Sequence, residues 1–254
     1  MTGKRGQVTI FVITALILIV IAILFYLLYP QIKSTLGLGA KNPNQFIQGC
    51  IETQVEEAVA TLALQGGSME PEHYFLYKDE KIKYICYQEE YYLKCVVQQA
   101  LLKRHIEEEI KKEISASVQT CFNDLESTFK KKGYSVNLNR GSFEVDLLPK
   151  RIVAKFDNSL TLTKGDATEE YKSFSVTINN NLYELVNIAN SIISMEGELG
   201  DSESTIYMNY YHNLKVEKLK QTDGTTIYIL RDRVTGDKFQ FASRSLAWPP
   251  GYGI

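Results

Sequence analysis

Four cysteines, Cys50, Cys86, Cys95 and Cys121, are the residues whose type and spacing most clearly imply chemistry. No CxxC pair occurs, and the C-x8-C spacing of Cys86 and Cys95 is not that of a zinc knuckle, so disulfides suit them better than a metal. His73, His105 and His212 are scattered in sequence. His105 opens the run HIEEE, which lacks the second histidine of HExxH and hence the paired ligands of a zinc site. There is no GxSxG and no Walker loop, and Gly37-Leu38-Gly39 is followed by Asn42 where a dinucleotide fingerprint needs its third glycine. Glu89 and Glu90 are adjacent in a loop and point in different directions, unlike the paired carboxylates of a glycosidase. Glu107, Glu108, Glu109 and Glu113 interleave with Lys103, Lys111 and Lys112 as i,i+4 pairs of a solvated helix face. The expectation is a chain that is not an enzyme and carries no cofactor.

Tyrosine is the other conspicuous type. Tyr74, Tyr77, Tyr84, Tyr87, Tyr91 and Tyr92 fall close together, and Tyr207, Tyr210 and Tyr211 form a second group. A ring with a polar tip suits recognition of a glycan or protein, and it equally suits strand packing. Tyr84, Tyr87, Tyr91 and Tyr92 are the candidate binding surface.

Apolar periodicity supplies the elements that must position these side chains. Ile47, Ile51, Val55, Ala58 and Leu62 recur at three and four, predicting a helix over 45–64 with Cys50 at the edge of its stripe and a stop at Gly66-Gly67. Leu102, Ile106, Ile110, Ile114, Val118, Cys121, Leu125 and Phe129 mark a longer helix, expected from about Val96 to Phe129. Cys50 and Cys121 then face one helix seam, while Cys86 and Cys95 flank the loop Tyr87–Lys94. Of three possible connectivities, Cys50 with Cys121 and Cys86 with Cys95 joins like with like. Four free thiols in a cytosolic domain are the alternative. Tyr74–Tyr87 reads as short extended segments around Lys78-Asp79-Glu80. Beyond Tyr134 the period becomes two: 142–147, 152–156, 159–163 and 171–178 predict an antiparallel meander, with a helix over 182–193 to cover it. Strands at 214–219, 225–230 and 238–243 close the chain, the first two joined at Thr222-Asp223-Gly224.

The charge is unevenly spread. Of 28 basic and 30 acidic residues only Lys4 and Arg5 precede Pro30. Val8–Tyr29 holds no charge, and as a helix it is about 33 Å long, enough to span a bilayer core. A cleaved secretory signal has the same general form, but this apolar run is longer and Tyr26–Gln31 offers no small-x-small cleavage site. The expected organisation is a cytoplasmic N-terminus at 1–7, a transmembrane helix at 8–29, a neck at 30–44, a disulfide-containing helical region at 45–132 and an antiparallel α+β region at 133–254. The fold class is therefore α+β behind a membrane anchor. The lipid bilayer is the expected partner, and the near-neutral balance excludes nucleic-acid binding through bulk charge.

Lys4-Arg5-Gly6-Gln7-Val8-Thr9-Ile10-Phe11 and the apolar run after it resemble the start of archaeal type IV pilin-like precursors. That resemblance implies cleavage between Gly6 and Gln7 and packing of the apolar helix in a filament core, although Phe11 stands where a glutamate is often found. Cys50-Ile51, Leu62–Gly67, Tyr84–Tyr87, Gln98-Gln99, His105–Glu107 and Cys121-Phe122 resemble an uncharacterised group of single-pass surface proteins of small-genome archaea. Together the resemblances imply a cell-surface protein, anchored with its C-terminal domain outside the membrane. The expected role is structural or adhesive in the cell envelope, with self-association or other surface proteins as partners. The alternative is an exported module binding a glycan or protein through its tyrosines. Less favoured is an exported enzyme, whose mark would be a deep pocket with converging carboxylates or His212.

Overall fold

A computed structural model describes residues 42–249, with Ile17 alone before them. The expected span Val8–Tyr29, the cleavage pair Gly6 and Gln7, and the neck up to residue 41 lie outside the described residues, Ile17 apart. Among the described residues no helix is long and apolar enough to cross a membrane.

Helix α1, Pro43–Leu64, starts two residues before its expected position. Asn42 caps it by accepting from the Asn44 N–H at 2.8 Å, and Pro43 fits the first turn, which needs no donor. It ends at Gly66 and Gly67, both at positive φ, where the Gly67 N–H returns to the Leu62 carbonyl. The next residues form a hairpin, β1 (Tyr74–Tyr77) and β2 (Glu80–Tyr87), turned at Lys78 and Asp79 with both φ positive.

The expected start of the long helix at Val96 is corrected. Val96-Val97 is strand β3, paired with Tyr87 and Cys86 of β2, and helix α2 runs Leu102–Lys131. The physical reason is local: the Cys86–Cys95 bridge holds this segment beside β2, and the apolar stripe begins only at Leu102. The stripe itself is buried as expected, from Leu102 through Ile106, Ile110 and Ile114 to Phe129, and α1 packs along it.

The simple meander is corrected as well. An additional strand, β4 (Ser135–Asn139), precedes β5 (Phe143–Leu148), β6 (Arg151–Phe156) and β7 (Ser159–Lys164). The expected strand at 171–178 is two strands, β8 (Ala167–Tyr171) and β9 (Phe174–Asn179). They form two three-stranded antiparallel sheets, ordered β4-β7-β8 and β5-β6-β9. The chain changes sheet at Arg140–Ser142 and again at Asp157-Asn158, and these corners are pinned together: the Asp157 N–H donates to the Ser142 carbonyl, and the Gly141 N–H to Asn158 Oδ1, both at 2.9 Å. A Cβ on Gly141 would stand 2.5 Å from the Asp157 carbonyl oxygen, which is why glycine occupies this crossing.

Helix α3, Leu182–Leu199, does not mainly cover those sheets. It lies chiefly against the C-terminal sheet, while α1 packs on β9 and α2 on β5 and β4. After the short α4 (Ser204–Tyr210), strands β10 (Leu214–Lys220), β11 (Thr225–Asp232) and β12 (Lys238–Arg244) complete the fold. They join the early hairpin in the order β1-β2-β12-β11-β10, with β3 also on β2. The β2–β12 pairing is parallel and ties residues 84–87 to 242–244. One large core runs through the helices and all three sheets, with Phe122 edge-on to Phe156 and Phe174. A small second cluster, including Ile82, Tyr84, Ile227 and Ile229, fills the other face of the C-terminal sheet.

Candidate functional site

The cysteines pair as Cys50–Cys121 and Cys86–Cys95, with Cα separations of 6.0 and 5.4 Å, and among the described residues no cysteine is free. The first bridge staples α1 to α2. The second closes the base of the tyrosine-bearing loop. Both suit an oxidising compartment.

The four candidate tyrosines lie near the C-terminal end of β12, but they do not do the same thing. Tyr84 is buried, its hydroxyl 2.7 Å from Thr225 Oγ1, and burial pushes its phenol above the ordinary value. Tyr87 is half-buried and edge-on to Tyr84, and His73 touches both rings. These two tyrosines therefore pack the sheet. Tyr91 and Tyr92 are exposed, Tyr91 beneath the Arg244 guanidinium and Tyr92 edge-on to Trp248 at 5.2 Å.

Arg244 is itself buried and donates to backbone: Nε to the Asp223 carbonyl and Nη1 to those of Gln88 and Glu89. It thus holds the 88–92 turn in place. The Tyr92 N–H donates to the Ala247 carbonyl and the Leu246 N–H to that of Leu93, so segments 91–93 and 246–248 run side by side. Their outer face carries Tyr91, Tyr92, Leu93 and Trp248, with Val96 just beyond, all exposed.

Beneath this surface lies a carboxyl that sequence reasoning missed. Glu196 on α3 is 2% exposed, accepts from the Tyr228 and Ser243 hydroxyls, and offers its carbonyl to Ser245. Burial raises its carboxyl above the usual range, and burial with the neighbouring carboxyl raises the Tyr228 phenol. Gly197, next along the helix, faces the Cys95 carbonyl and Cys86 Sγ. The signal for Glu196 was present in the spacing, since it continues the Ala189, Ile192, Ile193 stripe. Trp248, the single tryptophan, carried no periodic signal, because it sits in the irregular stretch after β12.

The other histidines and carboxylates are accounted for separately. His105 Nε2 lies 2.7 Å from Ser68 Oγ, and Lys83 Nζ donates to the same hydroxyl at 2.7 Å. Burial lowers the pKa of both bases, and Lys83 lowers that of His105 further. A serine against a histidine is the contact of a nucleophile with its base. Ser68 is only 4% exposed, however, and lines neither cavity described here, so the trio braces the end of α1 against β2 and α2. One cavity, of about 230 Å³, lies between α1 and α2 and includes Gln54, Glu57, Glu113 and Ser117. The other, about 410 Å³, includes Glu184, Asp232 and His212, the types named above as the mark of an enzyme, but there Asp232 is engaged by the Val234 and Thr235 N–H groups and Asn181 Nδ2, and His212 is exposed. Glu89 and Glu90 are surface residues of the clamped turn and line neither of these two cavities. Among the described residues no group of His, Cys, Asp and Glu is placed to hold a metal ion.

The chain matches no protein-family model, no curated protein and no solved structure.

Proposed function

We propose that the chain is an extracytoplasmic adhesion module of the cell envelope, held to the membrane by Val8–Tyr29, that docks a partner protein on the surface of Tyr91, Tyr92, Leu93 and Trp248. The observation that carries this reading is the exposed Tyr92–Trp248 pair on a disulfide-closed platform. Aromatic anchors of this kind, held at low entropic cost, dominate protein interfaces. The flanking residues Leu93 and Val96 are aliphatic, and Arg244 Nε and Nη1 are engaged by backbone carbonyls, which favours a protein partner over a glycan. Other surface proteins or a second copy of this chain are the partners the reading allows. The type IV pilin-like start makes filament assembly through the anchor helix a further part of the proposal, tested by whether the mature protein begins at Gln7.

The docking surface is tested by Tyr92→Ala with Trp248→Ala in cells displaying the protein. Both rings are more than half exposed, so Tm should stay within about 1 °C while cell-surface association is lost. Association at the wild-type level would remove this surface from the account. Tyr84→Ala or Tyr87→Ala would not discriminate, because both rings are packed.

A further inference from the structure

We propose that strand β1 is the edge at which a second copy of this chain adds, antiparallel, joining two C-terminal sheets into one across a two-fold axis. This surface is separate from that of Tyr92 and Trp248 and does not rest on it. Among the described residues β1 pairs with β2 alone and so ends its sheet. Its hairpin turns on two residues, Lys78 and Asp79, both at positive φ, which makes Tyr77 and Glu80 the closing hydrogen-bonded pair. Alternation then sends the N–H and C=O of Phe75 toward β2, and in the same phase the Tyr84 N–H donates to the His73 carbonyl. The N–H and C=O groups of Tyr74 and Leu76 therefore point outward, and their two side chains share one face, both exposed. Other edges are guarded by charge: β10 carries Lys215, Glu217, Lys218 and Lys220, and β8 carries Glu169 and Glu170. β1 reads Tyr-Phe-Leu-Tyr, without a charge or a proline and in unbroken register with β2. Such an edge is a template for another strand.

The residues around the strand select its occupant. In an antiparallel self-pairing, outward groups meet outward groups when Tyr74 stands opposite Leu76 of the second copy and Leu76 opposite its Tyr74. Each of these two pairs exchanges two backbone hydrogen bonds, and Phe75 falls on the two-fold axis. The same register brings Glu72 of each copy level with Lys78 of the other. Both side chains are exposed, and among the described residues neither forms an ion pair within its own chain; Lys78 Nζ lies instead over the Tyr77 ring, 5.1 Å from its centre. On the exposed face Leu76 of one copy packs beside Tyr74 of the other, removing from water the apolar area that each presents alone. A slip of one residue would set outward groups against inward ones. A slip of two keeps the hydrogen-bonding phase but sets Glu72 opposite Glu80 or Leu76. This self-complementarity fits a second copy rather than an unrelated extended peptide.

The test is sedimentation of the full chain in detergent micelles over a dilution series, with the detergent mass subtracted. The wild type should show a monomer–dimer equilibrium. Leu76→Lys should weaken the dimer roughly tenfold or more, and because Leu76 is 60% exposed the Tm should hold. Glu72→Lys and Lys78→Glu should each weaken it about fivefold by setting like charges opposite each other, and more so at low salt. Glu72→Lys combined with Lys78→Glu should restore it, since the exchanged pair meets in the same register. Three results would each overturn the proposal. One is a wild type that stays monomeric at millimolar concentration, which leaves the edge to a strand of some other protein. Another is a dimer of equal strength in Leu76→Lys, which assigns self-association to the anchor helix. The third is a combined charge variant in which the two losses add instead of cancelling.

Discussion

Glu196 sets a pH dependence that can be signed in advance. Its carboxyl is raised by burial, so the folded state holds the proton more tightly than the unfolded chain does. The stabilisation linked to that proton is complete below the ordinary carboxylate range and is lost as pH rises through the raised value. Melting curves from acid to neutral pH should therefore show the wild type losing ground to Glu196→Gln, which has no such proton to lose. Parallel profiles would mean that Tyr228 and Ser243 compensate the burial fully. Gly67 makes a second test, of backbone rather than charge: at φ +84° a Cβ would lie 2.9 Å from Ile106 Cγ1. Gly67→Ala should cost about 2 kcal/mol in denaturant unfolding. At this scale much was legible in the chain. The cysteine pairing followed from the helix stripes that carry Cys50 and Cys121 and from the short loop that Cys86 and Cys95 flank, and Glu196 lay on a readable stripe. Arg244 and Trp248 were not legible, because their roles come from segments that meet only through β2–β12 pairing.

The two bridges divide labour between elements. Cys50–Cys121 spans 71 positions and staples α1 to α2, whereas Cys86–Cys95 spans 9 and shapes one loop. Loop-closure entropy assigns about 4 kcal/mol to the first and about 3 kcal/mol to the second. Cys50→Ala with Cys121→Ala should therefore depress Tm more. Cys86→Ala with Cys95→Ala should do more damage to cell-surface association, since it releases the segment carrying Tyr91, Tyr92 and Val96. The reverse ranking in both assays would contradict the assignment of the short bridge to the surface. Elements with a strong period were readable in sequence: α1, α2 and the last three strands occur where the stripes and alternation place them. The start of α2 was not, because a disulfide and strand pairing outweighed the helical tendency of residues 96–101. The sheet switches at Gly141 and Asp157 were equally hidden, since alternation records which face is buried but not which neighbour a strand takes.

Over the whole molecule, the parallel pairing of β2 with β12 makes the early helical region and the later strand-rich region depend on each other. Residues 45–132 and 133–254 made as separate chains should fail to fold alone, the second because β12 loses both its partner strand β2 and the cover of α1, exposing core residues such as Phe239 and Phe241, both fully buried in the intact fold. Well-dispersed amide spectra from either fragment would contradict this. The proposed anchoring rests on the apolar run Val8–Tyr29, and the folded part contributes two bridges that suit an oxidising compartment. The most direct test is therefore non-reducing peptide mapping with intact-mass analysis of the protein taken from its native membranes. The account predicts peptides linking Cys50 to Cys121 and Cys86 to Cys95, with no thiol open to alkylation until reductant is added. Four alkylatable cysteines in the native protein would place the domain in a reducing compartment and contradict the account at its centre.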